Sequence, residues 1–234
     1  VSKFKEAQGR RLSSIEVHDI MCFIGQVVVV GGVRRSAMIS LSNLSDGRMA
    51  NAKSGNWWEH NAQRALANNS VAYTERPDME TFMREWLSLV ESKSGERGVF
   101  SRVASRKQAI KNGRRNPDFE FGTNPCSEII LRPYQFCNLS EVVVRATDSI
   151  EDLERKVKLA TIIGTVQSTL TNFPYLRKIW AKNTEEERLL GVSLTGIMDN
   201  KLLTHANAGL EATLERLRDV AVATNAEWAK RLGI

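Results

Sequence analysis

Residues 121–144 read FGTNPCSEIILRPYQFCNLSEVVV and hold two of the three cysteines in a 234-residue chain. Asn124-Pro125 marks a turn, because the residue before a proline is pushed out of the helical region. The following NLSEVVVR reads as a strand, its β-branched run suited to a pleated, half-buried surface. Between turn and strand lie Cys126, Glu128 two residues on, and Cys137 eleven residues on. Two thiols and a carboxylate this close have two readings: structural cysteines buried in a turn, or chemistry.

Outward from this stretch, short strands alternate with helices. Ser13-Ser14-Ile15-Glu16 has the form of a capping box and predicts a buried helix over 14–30, ended by Gly31-Gly32. SAMISLSN is a short strand closed by the turn residues Asn43, Ser45, Asp46 and Gly47, and NNSVAY (68–73) is a second. Asp78 caps a helix over 79–92 with Phe82, Met83, Trp86, Leu87 and Val90 on one face. SRVASRKQAIKNG predicts a short basic helix stopped by Gly113. Beyond the cysteines, Asp148 or Ser149 caps a helix over 150–171, and Thr184-Glu185-Glu186-Glu187 predicts another helix start. LLGVSLTGIMD reads as a buried strand running into a helix, and 208–232 as a long amphipathic helix. The class is α/β with a largely parallel sheet or barrel. No internal repeat, low-complexity segment or domain linker stands out.

Composition excludes several functions. A hydrophobic content of 42% with 26% charged residues is ordinary for a soluble globular protein. No segment approaches ~18 uninterrupted apolar residues, so no transmembrane helix is expected. CFIGQVVVVGGV is too short and ends in glycines. There is no signal-peptide pattern, and both ends look cut, so an internal piece of a longer polypeptide is expected. An odd number of cysteines argues for a reducing cytoplasmic setting. A net charge of +6 suggests anionic partners, or simply the uneven charge of a piece of a larger protein. With no Lys/Arg stripe and no interleaved aromatics, nucleic acid is a poor candidate partner.

Each candidate chemistry meets a plainer reading. Zinc needs about four Cys/His ligands at suitable spacing. His18 and Cys22 are spaced i,i+4, but no second pair exists, so Cys22 reads as a small core hydrophobe and no metal site is expected. GQVVVVGGVRRS matches no phosphate-loop pattern. It is either a helix end followed by a turn or a loop whose Arg34 and Arg35 reach a phosphate or base. A nucleophilic Cys126 is disfavoured because the adjacent Glu128 opposes the thiolate that a nucleophile requires. A neutral thiol that gives up a hydrogen atom suits this placement better. Glu128 would then act as general base on a substrate hydroxyl, Asn124 would hold that substrate, and Cys137 would supply an electron and a proton. A thiol–disulfide exchanger and a basic nucleotide-binding module also remain open.

At NPCSEI…FCNLSEV the chain resembles ribonucleotide reductases, above all the adenosylcobalamin-dependent class. The resemblance implies part of a ten-stranded α/β barrel with a central finger loop, and residues 1–234 would be its central portion, incomplete at both ends. It also implies reduction of ribonucleotides to deoxyribonucleotides for DNA synthesis. Cys126 would form the thiyl radical, Glu128 would take the 3′-hydroxyl proton, and Asn124 would orient the substrate. Cys137 would be one member of the redox pair. GGVRRSAMISL is similar to the family's specificity loop, which gives Gly32, Val33, Arg34, Arg35 and Ser36 the role of relaying a deoxynucleotide effector. Adenosylcobalamin is the implied cofactor, and a thioredoxin-like reductant, acting through a C-terminal segment outside this chain, the implied partner. The di-iron-dependent diphosphate reductases are the neighbouring alternative.

Overall fold

The computed structural model describes residues 2–28, 36–111, 113, 115–204 and 209–234. These form two compact units, 1–133 and 134–234.

The first unit opens with α1 (Ser2–Glu6) and α2 (Ser14–Gln26). The capping box forms: the Glu16 carboxylate accepts from the Ser13 backbone N–H and from its hydroxyl, both at 2.8 Å. Strand β1 (Met38–Ser42) leads through two single-turn helices, α3 (Gly47–Ala50) and α4 (Trp57–His60), and a 3-10 turn at Ala62–Leu66 into β2 (Ala67–Tyr73). Helix α5 (Met79–Ser92) follows, with the Asp78 carboxylate accepting from Thr81 N at 2.9 Å as its cap. Then come β3 (Gly98–Ser101) and α6 (Arg102–Lys111). The three strands form a parallel sheet in the order β1-β2-β3, with Met38 opposite Ala67 and Ser70 opposite Gly98. The unit ends in a hairpin of β4 (Gly122–Thr123) and β5 (Ile130–Leu131).

The second unit pairs β6 (Cys137–Val143) in parallel with β7 (Leu189–Thr195), joined by α7 (Ile150–Gln167) and α8 (Lys178–Glu187). A 3-10 turn at Ile197–Asp199 and α9 (Leu210–Leu232) complete it. Its core joins Val142, Val144, Leu153, Val157, Ala160, Leu203 and Leu217. Fully burying a side chain such as Leu153 stabilises by about 1.5–3 kcal/mol. Asn225 donates to Thr165 at 3.0 Å, tying α9 to α7.

Parallel α/β pairing is as expected, but the readings of α2, of Thr184 and of β7 need correction. Helix α2 stops at Gln26 rather than 30 and is not buried all round: Val17, Met21, Phe23 and Ile24 are exposed, while His18, Asp19 and Cys22 face inward. Helix α5 has the expected apolar stripe, yet no residue of it is buried, and Met83, Trp86, Leu87 and Val90 lie open. Thr184 starts no helix. It sits near the end of α8, buried, and its hydroxyl accepts from Phe136 N at 3.3 Å. Strand β7 is only partly buried, and a single 3-10 turn follows it.

Candidate functional site

Asn124 to Ile129 form the loop of the β4–β5 hairpin. Ser127 N donates to Asn124 O at 3.0 Å, which closes a β-turn with Pro125 second and Cys126 third. Ser127 takes φ 66. Asn124 Oδ1 accepts from Ile129 N at 3.1 Å and from the Thr123 hydroxyl at 3.3 Å, and that hydroxyl also donates to Ile129 O at 3.0 Å. The asparagine side chain thus mimics backbone and spans the loop. The sequence assigns this amide to holding substrate. The structure uses its oxygen within the loop, and among the described residues none accepts from its Nδ2.

This scaffold holds Cys126 and Glu128 at the tip of the loop, both exposed. Within this chain Cys126 is not a buried cysteine. Arginines brace the hairpin: Arg115 donates to Ile130 O at 2.9 Å, and Arg102 to Phe121 O at 3.2 Å. Arg115 also lies over the Phe121 ring at 5.0 Å, and Arg132 over Phe119 at 4.8 Å. Asn68, from β2, donates to Pro125 O at 2.6 Å.

Cys137 belongs to the second unit, where it is the first residue of β6, half-buried and opposite Leu189. The segment before it is held by Phe136, whose ring lies 4.9 Å from Phe173 and 4.8 Å from Trp180. Asn124, Cys126 and Glu128 therefore share one loop, and Cys137 is placed by a separate strand.

Of the candidate specificity loop, only Ser36 lies among the described residues, just ahead of β1. Gly32, Val33, Arg34 and Arg35 lie outside them. Cys22 is core: it is fully buried with Leu66 and Ala67, and burial, reinforced by nearby Asp19, pushes its thiol up to about 11. Among the described residues, no three His, Cys, Asp or Glu side chains are grouped to hold a metal ion. No helix there is long and apolar enough to cross a membrane.

Sequence reasoning missed the polar network around the β1-β2-β3 sheet. His18 Nε2 meets Asn69 Oδ1 at 2.9 Å, and Lys53 Nζ bridges Ala67 O at 2.5 Å and Glu96 at 2.9 Å. Arg97 grips Glu85 through two bonds of 3.0 and 2.8 Å and donates to Ser42 Oγ at 3.1 Å. A lysine and an arginine inside an α/β core were the available signal, but their partners lie far off in sequence.

The chain is similar over most of its length to several curated proteins. It is 34% identical over 202 residues to the adenosylcobalamin-dependent ribonucleoside-triphosphate reductase of Lactobacillus gasseri, which covers 83% of this chain and 26% of that protein. With the like-named protein of Lacticaseibacillus paracasei it shares 31% over 199 residues, 82% of this chain and 25% of the relative. With that of Lactobacillus leichmannii it shares 31% over 206 residues, again 82% and 25%. The chain thus spans about a quarter of the length of the curated relatives it matches. No family model matches it, and no solved structure does.

Proposed function

We propose that the chain belongs with the adenosylcobalamin-dependent ribonucleoside-triphosphate reductases it is similar to, and that residues 1–234 form the central portion of such an enzyme's catalytic barrel, acting in the cytoplasm on ribonucleoside triphosphates. In this reading the 124–129 hairpin loop is the finger loop, and the two parallel sheets are parts of the ten-stranded barrel. The open apolar faces of α2 and α5 suit elements that pack against further parts of a larger protein.

The observation that carries the proposal is the exposed Cys126 thiol, third in a β-turn whose geometry Asn124 fixes, with Glu128 two residues on. An exposed thiol at a loop tip fits a cofactor that must reach it. Adenosylcobalamin would supply the radical chemistry when bound, and Cys126 would be the residue that gives up its hydrogen atom to it. The Cys126 thiyl then removes the 3′-hydrogen of the ribose, and Glu128 accepts the 3′-hydroxyl proton. The Asn124 amide NH2, unused within the loop, holds the substrate. The 2′-hydroxyl leaves as water, and Cys137 with a second thiol gives two electrons and becomes a disulfide, so ribose is reduced and two thiols are oxidised. Cys126 recovers its hydrogen at the end. A thioredoxin-like partner would reduce the disulfide. Residues 32–36 would report a bound deoxynucleotide effector to the substrate base, Arg34 making the contact.

The test is deoxynucleotide formation by the full-length protein from a ribonucleoside triphosphate, adenosylcobalamin and a dithiol. Cys137→Ser should limit it to at most one incomplete turnover. Sustained turnover by that variant would remove Cys137 from the redox pair.

A further inference from the structure

The Pro125–Cys126 peptide is the central peptide of the turn that presents the thiol. Its carbonyl accepts a hydrogen bond of 2.6 Å from Asn68 Nδ2, across 57 residues of sequence. We propose that Asn68 is a positioning residue for Cys126, holding this peptide in one of the two orientations open to a β-turn. The inference rests on Cys126 being the thiyl-forming residue.

Type I and type II turns differ by a flip of the central peptide. The flip sends its carbonyl to the opposite face of the turn and demands positive φ at the third residue. Ser127 is among the residues with positive φ and Cys126 is not, so the turn is in the unflipped state. A donor aimed at the Pro125 carbonyl stabilises that state alone. The flipped state costs Cys126 about 1–2 kcal/mol of left-handed strain, so loss of the donor narrows the preference for the present state and lets the Cα–Cβ bond of Cys126, with its sulfur, depart from it.

The donor is itself held from both sides. Asn68 lies in β2, the middle strand of its sheet, opposite Ile39. Ala67 O accepts from Lys53 Nζ at 2.5 Å, and Asn69 N donates to Glu96 Oε2 at 3.2 Å. Lys53 and Glu96 are joined at 2.9 Å, and Asn69 Oδ1 meets His18 at 2.9 Å. The backbone on each side of Asn68 is therefore pinned by buried and half-buried polar contacts, while its own side chain is exposed and fills no core space. A supporting shell of this kind is what precise placement of a reacting group requires.

Hydrogen-atom transfer needs the reacting atoms about 3–3.5 Å apart, and a misplacement of about 1 Å costs on the order of 10²-fold in rate. In the full-length protein, Asn68→Leu keeps the volume without the donor. Asn68→Asp keeps the shape and sets an acceptor against the carbonyl. Both should lower kcat on the order of 10²-fold, with KM for the nucleotide and the thermal midpoint unchanged. A kcat within twofold of the parent in both variants would overturn the inference. So would a loss seen in KM alone, or one that follows a lowered thermal midpoint in both. Turnover by Cys126→Ser would defeat the underlying assignment, whereas an inactive Cys126→Ser beside a fully active Asn68→Asp defeats only the role of Asn68.

Discussion

Arg64 clasps Asp19 with two parallel hydrogen bonds, Nε to Oδ1 at 2.7 Å and Nη2 to Oδ2 at 3.0 Å. The aspartate side chain is only 2% exposed, and a third bond, from Nη1 to Ala52 O at 2.7 Å, joins the pair to the chain ahead of β2. This forked pairing ties α2 to the segment that feeds the central strand.

Arg64→Met should cost up to about 3–5 kcal/mol, because it leaves the buried Asp19 carboxylate with only the longer 3.7 Å contact to Lys3 as an ion pair. The double variant Asp19→Leu with Arg64→Met should recover most of that loss. Denaturant midpoints of the parent and the variants check both statements. Burial tends to raise the Asp19 carboxyl, but the Arg64 guanidinium outweighs it and holds it below the ordinary range. The stability it contributes is present above the unfolded value near ~3.9 and lost as pH falls through the lowered folded value.

His18 should make the first unit acid-sensitive in a higher window. Burial lowers its pKa, with Arg64 acting in the same direction and Asn69 and Asp19 opposing. The unfolded chain therefore binds a proton that the folded chain resists. Stability is complete above the unfolded value near ~6.5 and declines as pH falls below it. The denaturant midpoint should drop between about pH 7.5 and 5.5, a window spanning that value, and His18→Gln should flatten the drop. An unchanged slope in the variant would contradict a neutral, buried His18.

Gly196 turns the chain out of β7 with φ +75, and an added Cβ would lie 2.5 Å from the Val144 carbonyl oxygen. Gly196→Ala should cost more than about 2 kcal/mol, combining left-handed strain with overlap against backbone. Gly55→Ala is the control: φ is +62, but an added Cβ meets nothing within 4 Å. Its cost should stay near 1–2 kcal/mol, from the strain alone.

Local signals were legible in the sequence. Asp78 and Ser149 cap the helices they were expected to cap, because a capping side chain bonds a backbone only three residues away. β6 carried its β-branched run openly, and β1 its period-2 alternation closed by turn residues. The four-residue β3 and the two-residue strands of the Cys126 hairpin are too short for any period to register. Thr184 imitated a capping box, but tertiary contact with Phe136 decided its place. For the site, motif and spacing located Asn124, Cys126 and Glu128 on one loop. They could not reveal that the asparagine oxygen is spent inside the loop, nor that Asn68 reaches it from 57 residues away. Such bonds depend on which strands neighbour one another, and local pattern does not carry that information.

The Cys126 thiol is the group proposed to give up its hydrogen atom. Cys126→Ser in the full-length protein, assayed for deoxynucleotide formation with adenosylcobalamin and excess dithiol, tests this most directly. No product above background is expected, because the serine O–H bond does not replace the thiol as a hydrogen-atom donor while the loop keeps its shape. Repeated turnover by the Cys126→Ser protein would contradict it.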